Sequence, residues 1–535
     1  MRSLSKVISA GLVSFGLLSV GTAVQTCSNS SHPPVVDLGY ALYQARVIES
    51  NSSNAYLNFS NIRYAAPPLE ERRFTAPAEP LKNRSAGVQD GSYGKICPQA
   101  YARWQLGANV LNPPAENESE DCLFLDVVVP KTVYESNASV PVLVWFHGGG
   151  YAIGSKYAQG SPVGLLDRSF EAGEGAIWVG MNYRLGAFGF LQGDTIQANG
   201  TANAGFHDQR AALNWVQENI YLFGGDKDRV TAIGESAGGG SILHHITAYG
   251  GKNGPAPFQK AILQSTAFVP SPSADTPEII AQAFLRAANV TSIEEARGLS
   301  SEQLLAANKI AQASALFGTY VFGPAPDGSY VPDLPGKLLL NGSYDRTVTV
   351  MAAHNSNEAG RYTDPAATND TAFDTYMALY FPSASSEVLS YLSTVLYPPL
   401  YDGSQPYASP FYRLNRAISD FTFTCSSTWL MHAYNTSASY KYQFSVPPGN
   451  HTQDVPYTYF STLNVQVLNE TLAKTMQGWM TSFAQRGDPN RDGLPSFPAY
   501  GAESKILNLN RTYIPEIDDP MNNERCLWWQ KALYR

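Results

Sequence analysis

The sequence predicts an α/β architecture: a large, mostly parallel central sheet flanked by helices, with helical insertions. Three observations carry this. Continuous apolar runs such as Val140–Phe146 (Val-Pro-Val-Leu-Val-Trp-Phe) fit strands buried on both faces, as in parallel sheets. Such runs alternate with stretches of helical spacing, as right-handed crossovers require. And Val230-Thr-Ala-Ile-Gly234-Glu-Ser236-Ala-Gly238-Gly-Gly-Ser241 joins a β-prone run to a helix-compatible one through a Gly-x-Ser-x-Gly pentapeptide.

Taken in order, Asp37–Val47 and Ala55–Ile62 read as short strands of an amino-terminal β-region. Asn61 to Pro77 is proline-rich, extended loop, and the stretch between Cys97 and Cys122 has no clear periodicity. Strands are expected at Leu123–Val129, Val140–Phe146, Ala176–Val179, Val230–Ile233, Gln259–Gln264, Thr347–Ala352 and Tyr440–Val446. A short strand-like piece lies at Ile506–Leu509. Helices are expected at Ala211–Phe223, Ser241–Tyr249, Pro277–Ala288, Ser301–Ala313, through most of 371–439, and at Asn469–Arg486. No internal repeat or composition break divides the chain, so residues 24–535 read as one domain.

Composition is that of a globular protein, 44% apolar and 15% charged. A net charge of −9 with no basic block argues against nucleic acid and anionic membranes as partners. Residues 1–23 have the pattern of a secretory signal peptide: Arg2 and Lys6, the apolar run Val7–Val20, then Gly21-Thr22-Ala23. The fourteen Asn-x-Ser/Thr sequons fit a secreted, extracellular glycoprotein. Five cysteines (Cys27, Cys97, Cys122, Cys425, Cys526) leave one over, and their spacing does not choose a pairing. Neither Cys-x-x-Cys nor His-Glu-x-x-His occurs, so no metal is expected, and without a phosphate-cradling glycine motif no nucleotide cofactor is either.

A serine hydroxyl becomes a useful nucleophile only when a base takes its proton and a carboxylate orients that base. On a strand–turn–helix elbow the chain order is nucleophile, acid, histidine, each presented after its own strand. His451 follows the strand ending at Val446, past Pro447-Pro448-Gly449. His432, His244 and His245 lie in helical runs and read as packed histidines. Glu358 follows the strand 347–352, whereas Asp327 and Asp333 precede it, which makes Glu358 the expected acid. Oxyanion donors are expected from the backbone of His147-Gly148-Gly149-Gly150, at the end of the apolar strand, and from Ala237. His147 reads as a brace for that loop. The sequon at Asn450 adjoins His451, where a glycan would crowd the site, so it is expected to be unused.

With these pieces in place the chain resembles the type-B carboxylesterase/lipase family, which includes cholinesterases and yeast lipases. The resemblance rests on Phe223-Gly-Gly-x₄-Val230 leading into Gly234-Glu-Ser236-Ala-Gly238, and on Glu120-Asp-Cys122-Leu-Phe-Leu-Asp-Val-Val-Val-Pro130. Asn182-Tyr-Arg-Leu-Gly186 and Asn203-Ala-Gly-Phe-His-Asp-Gln-Arg210 are similar to two further family blocks. It implies an α/β-hydrolase fold, a Ser236–Glu358–His451 triad, and Gly149, Gly150 and Ala237 as oxyanion donors. It also implies Cys97–Cys122 and Cys425–Cys526 disulfides, leaving Cys27 without a partner. The activity so implied is serine carboxylic-ester hydrolysis through an acyl-enzyme on a small-molecule or lipid ester. Two alternatives are an interfacial triacylglycerol lipase and a non-catalytic binding relative. Phe268, Phe322 and the 97–122 segment are expected to shape the pocket.

Overall fold

Strands account for the site's foundation. The computed structural model describes residues 33–49, 54–106, 117–136, 138–268, 272–435, 439–461 and 467–535. The signal-like segment, Cys27 and the sequons at Asn29, Asn51 and Asn137 lie outside these residues. In chain order the strands are β1 (Val35–Asp37), β2 (Leu42–Gln44), β3 (Arg46–Glu49), β4 (Ala55–Arg63), β5 (Val88–Gln89), β6 (Phe124–Pro130) and β7 (Val140–Phe146). They continue with β8 (Ile177–Met181), β9 (Gly225–Glu235), β10 (Lys260–Gln264), β11 (Thr349–Asn355), β12 (Tyr440–Phe444), β13 (Lys505–Leu509) and β14 (Glu516–Asp518).

Eleven of them form one mixed sheet in the order β14-β13-β12-β11-β10-β9-β7-β8-β6-β4-β3. From β8 through β13 neighbouring strands run parallel, and antiparallel strands close both edges. β6, β7, β8 and β10 are buried at every position, which explains the unbroken apolar runs of β7 and β8 and the mostly apolar ones of β6 and β10. Two hydrophobic clusters cover the two faces: Val144, Ala232 and Leu263 belong to one, Leu143, Ile233 and Ile262 to the other. β1, β2 and β5 make a separate small sheet. The single strand expected over 37–47 is three short ones: the chain turns at Gly39 between β1 and β2, and Ala45, whose N–H donates to Pro34 O, separates β2 from β3.

The helical insertions fall where expected, between β10 and β11 and between β11 and β12. The second is interrupted by wide turns at Leu392–Leu396 and Asp420–Thr424. Cys97 is bonded to Cys122 and Cys425 to Cys526, the pairings the family resemblance implied. The second bond ties the helix Cys425–Ala433 to the carboxyl-terminal helix Glu524–Gln530. Among the described residues no helix is long and apolar enough to cross a membrane.

Candidate active site

β9 delivers the serine. At Glu235 the strand ends, Ser236 turns at φ 58°, and the helix Ala237–Thr247 begins at the next residue. Few residues without a glycine's freedom hold a positive φ, so the turn must be enforced by its surroundings. Ser236 N–H donates to Gln264 O of β10, and its carbonyl accepts from Gly240 and Ala267. Gly238 has no room for a side chain, since a Cβ there would lie 2.0 Å from Phe146 O of β7. The helix therefore seats directly on the sheet and its first amides point past the serine.

β11 and β12 deliver the partners. Glu358 opens a short turn three residues beyond β11, and His451 lies on the loop after β12. Ser236 Oγ–H faces His451 Nε2 at 2.8 Å, and His451 Nδ1–H donates to Glu358 Oε2 at 2.6 Å. Asn355 N–H donates to the other Glu358 oxygen at 2.5 Å. The structure thus brings Ser236, His451 and Glu358 into one hydrogen-bonded chain, all three buried. It places the alternatives elsewhere. His245 bonds Tyr330 and Gln209, and His432 bonds Asn522. Asp327 caps its own turn and Asp333 pairs with Lys337.

The glycine loop after β7 closes the other side. Gly149 and Gly150 adopt φ 112° and 61°, the left-handed region open to glycine. A Cβ on Gly148 would come within 2.9 Å of Ser236 Cβ, so this backbone runs against the nucleophile. His147 stacks on Tyr183 with ring centroids 4.3 Å apart, and Tyr183 O–H donates to His147 O. Burial pulls His147 down to about 4, which keeps it neutral. Gly186 N–H bonds Tyr151 O, and Arg184 and Asp208 form a buried two-pronged ion pair at 2.7 Å. The two blocks beginning at Asn182 and Asn203 therefore brace the glycine loop.

Three features were missed in the sequence. Glu235, inside the pentapeptide itself, is 1% exposed and lies with Oε1 3.3 Å from His451 Nε2. Burial pushes its carboxyl up to about 8, opposed by His451 and helped by Asp454 and Glu358. Asp454, three residues after His451, is wholly buried and accepts from Gln264, Asn355 and Tyr442. Burial pulls His451 down, but Glu235, Glu358 and Asp454 outweigh it and hold the ring above its usual value. The third feature is an aromatic wall. Tyr362 and Phe423 face the His451 ring at 5.4 and 4.1 Å, and Trp104 of the 97–122 segment meets Phe317, Tyr320 and Tyr362. Phe268 packs on Trp429, and Phe322 is buried in the hydrophobic core. Asn450 is half-buried, its Oδ1 accepting from Asn357 Nδ2 at 3.1 Å. Among the described residues no three His, Cys, Asp or Glu side chains are grouped to hold a metal ion.

Comparison with known proteins places this arrangement. A model of the carboxylesterase family matches residues 33–529. The carboxylesterase patB of Penicillium expansum is 40% identical over 93% of this chain and 96% of its own length. A secreted lipase of Arthroderma benhamiae is 32% identical over 83% and 89%. Among solved structures, EstA of Aspergillus niger superposes with a TM-score of 0.80 at 27% identity, covering 94% of this chain and 98% of that one. The α/β-hydrolase fold is thus shared along nearly the whole chain: the protein belongs to the carboxylesterase family and is a carboxylic ester hydrolase.

Proposed function

We propose that Ser236 is the nucleophile of this hydrolase, His451 its general base and acid, and Glu358 the carboxylate that orients the ring. The observation that carries the reading is the buried chain Ser236 Oγ, His451, Glu358 at 2.8 and 2.6 Å. His451 takes the serine proton as Oγ attacks the ester carbonyl. The carbonyl oxygen gains negative charge and is held by the amides of Gly149, Gly150 and Ala237. One such donor lowers the barrier by about 3 to 4 kcal/mol. The imidazolium then protonates the departing alcohol, and water attacks the acyl-Ser236 ester with His451 again as base. Glu358 accepts the Nδ1–H of the ring and stabilises the imidazolium. No step requires a cofactor.

Ser236→Ala tests this. Hydrolysis of p-nitrophenyl acetate is expected to fall by about 10⁴-fold or more, with an unaltered circular-dichroism spectrum and Tm. Retained turnover would remove Ser236 from the role.

We infer also that the chain acts outside the cell. Supporting this are the charged, apolar and small-residue succession of its first 23 residues, its sequons, two disulfides, and a relative named as a secreted lipase.

A further inference from the structure

Ser236, His451 and Glu358 are all braced by one short stretch of chain. The wide turn Asp420–Thr424 joins the helices Pro410–Ser419 and Cys425–Ala433. Such turns are rare inside helices and occur most often at functional sites. Just before it, Ser419 Oγ accepts from Ala359 N–H at 3.1 Å, next to Glu358. Within it, Thr422 O accepts from Phe268 N–H, and just after it Ser426 O–H donates to Thr266 O at 2.6 Å. Those two partners flank Ala267, whose N–H donates to Ser236 O. Phe423 lays its ring against His451, with centroids 4.1 Å apart, and packs on Tyr362 at 5.2 Å. Tyr362 meets the same imidazole edge-on, so the His451 ring rests in a corner made by the two aromatics.

The carboxyl-terminal helix Glu524–Gln530 holds this turn at both ends. At the start Asp420, 1% exposed, accepts Arg525 Nε–H on Oδ2 at 2.8 Å and Tyr397 O–H on the same oxygen at 3.0 Å. Arg416 Nη1 lies 3.6 Å from the other oxygen. At the end Cys425 is bonded to Cys526, the neighbour of Arg525. Removing Arg525 would leave a buried carboxylate short of its nearest cation, a costly state that is relieved by moving toward other charge or water. The turn would move with Asp420, and Phe423 with the turn.

We propose that Arg525 is a positioning residue for ester hydrolysis: through Asp420 it fixes the wide turn, and so the Phe423 ring that sets the plane of His451. The need is stringent. His451 Nε2 must face first Ser236 Oγ and then the leaving oxygen, and a misplacement of about 1 Å can cost about 100-fold in rate. Arg525 bonds Asp420, so it acts on His451 through the turn. The inference rests on the triad reading above and adds to it a support from the far end of the chain.

Arg525→Met, assayed as folded protein with p-nitrophenyl acetate, tests it. Its kcat is expected to fall about tenfold while KM changes by less than about twofold. Phosphorylation of Ser236 by paraoxon is expected to slow by the same factor, since it needs the same base. Phe423→Leu, which leaves the ion pair in place, is expected to repeat the loss of kcat. A lowered Tm with wild-type kcat in Arg525→Met would make the ion pair merely structural and overturn the proposal, as would a loss confined to KM. Wild-type kcat in Phe423→Leu would overturn the route through that ring. Where Arg525→Met fails to fold, Asp420→Asn decides: it removes the same ion pair and leaves the partly exposed Arg525 to water, and wild-type kcat there overturns the proposal. Turnover retained in Ser236→Ala would overturn the triad reading itself, whereas wild-type kcat in Arg525→Met beside an inactive Ser236→Ala overturns this proposal alone.

Discussion

Glu235 lies between the serine it precedes and the histidine that faces it. Its carboxyl, raised to about 8 by burial, and the His451 ring stand 3.3 Å apart, so the two titrate as a pair. The proton they share costs activity whenever it sits on His451, because only neutral imidazole can accept from Ser236. Carboxylate beside the ring favours that inactive form and holds the histidine above its ordinary value. The acid limb of kcat/KM should therefore rise above pH 6.5, with activity gained as pH increases. Glu235→Gln removes the neighbouring charge, and the limb is expected to move to lower pH, read from a pH–rate profile with p-nitrophenyl acetate. A limb that stays in place would show that Glu358 and Asp454 set the histidine without Glu235. The meeting of Ser236, His451 and Glu358 was legible in the sequence because each follows its own strand in the expected chain order. Glu235 was hidden in plain view: a carboxylate next to a nucleophile reads as a solvated turn residue until burial is known. Asp454 is held by Gln264 and Asn355, 190 and 99 residues away along the chain, and no spacing rule reaches such partners.

The helix Ala237–Thr247 shows why boundaries are harder to read than elements. Three consecutive glycines, Gly238 to Gly240, have poor helix propensity, so the sequence predicts a start at Ser241. The helix instead begins at Ala237, since packing overrides propensity. Cβ atoms at Gly238 and Gly240 would lie 2.0 Å from Phe146 O and 2.2 Å from Ala267 O. These glycines let the helix settle on the strand ends that hold the serine. Gly238→Ala is expected to push it off the sheet and destabilise the protein by about 1 to 3 kcal/mol, the usual range for overpacking. Esterase activity is expected to fall further than stability, because the same shift moves the Ala237 amide. Thermal unfolding and kcat measured together check this, and a variant with wild-type values for both would contradict it. The central strands were legible for the opposite reason: burial on both faces writes itself as an apolar run. Helices such as Val163–Ala172 and Pro335–Leu340 were missed, their polar faces being too narrow or their length too short for a clear period.

Across the whole molecule, the sequons sort themselves by accessibility. A glycan needs its asparagine at the surface, with room for a bulky branch. Among the described residues Asn83, Asn117, Asn199, Asn289, Asn341, Asn369 and Asn435 are exposed. Asn58 sits within β4, opposite Arg46 on one side and Val128 on the other, with Oδ1 buried. Asn450 is held by Asn357 and packs so closely on Gly360 that a Cβ there would lie 2.2 Å from Asn450 Oδ1. It also begins the loop that presents His451, so a branch on its nitrogen would pry apart the 357–360 turn carrying Glu358. Produced in a host that exports and glycosylates it, the protein is expected to carry glycans among these seven exposed asparagines and none at Asn58 or Asn450. Glycopeptide mass mapping of active enzyme checks this directly. A glycan at Asn450 on enzyme that still turns over would mean that the Asn357–Asn450 contact is dispensable for holding Glu358 against His451. Asn450→Gln should accordingly leave the glycan pattern unchanged while weakening that contact.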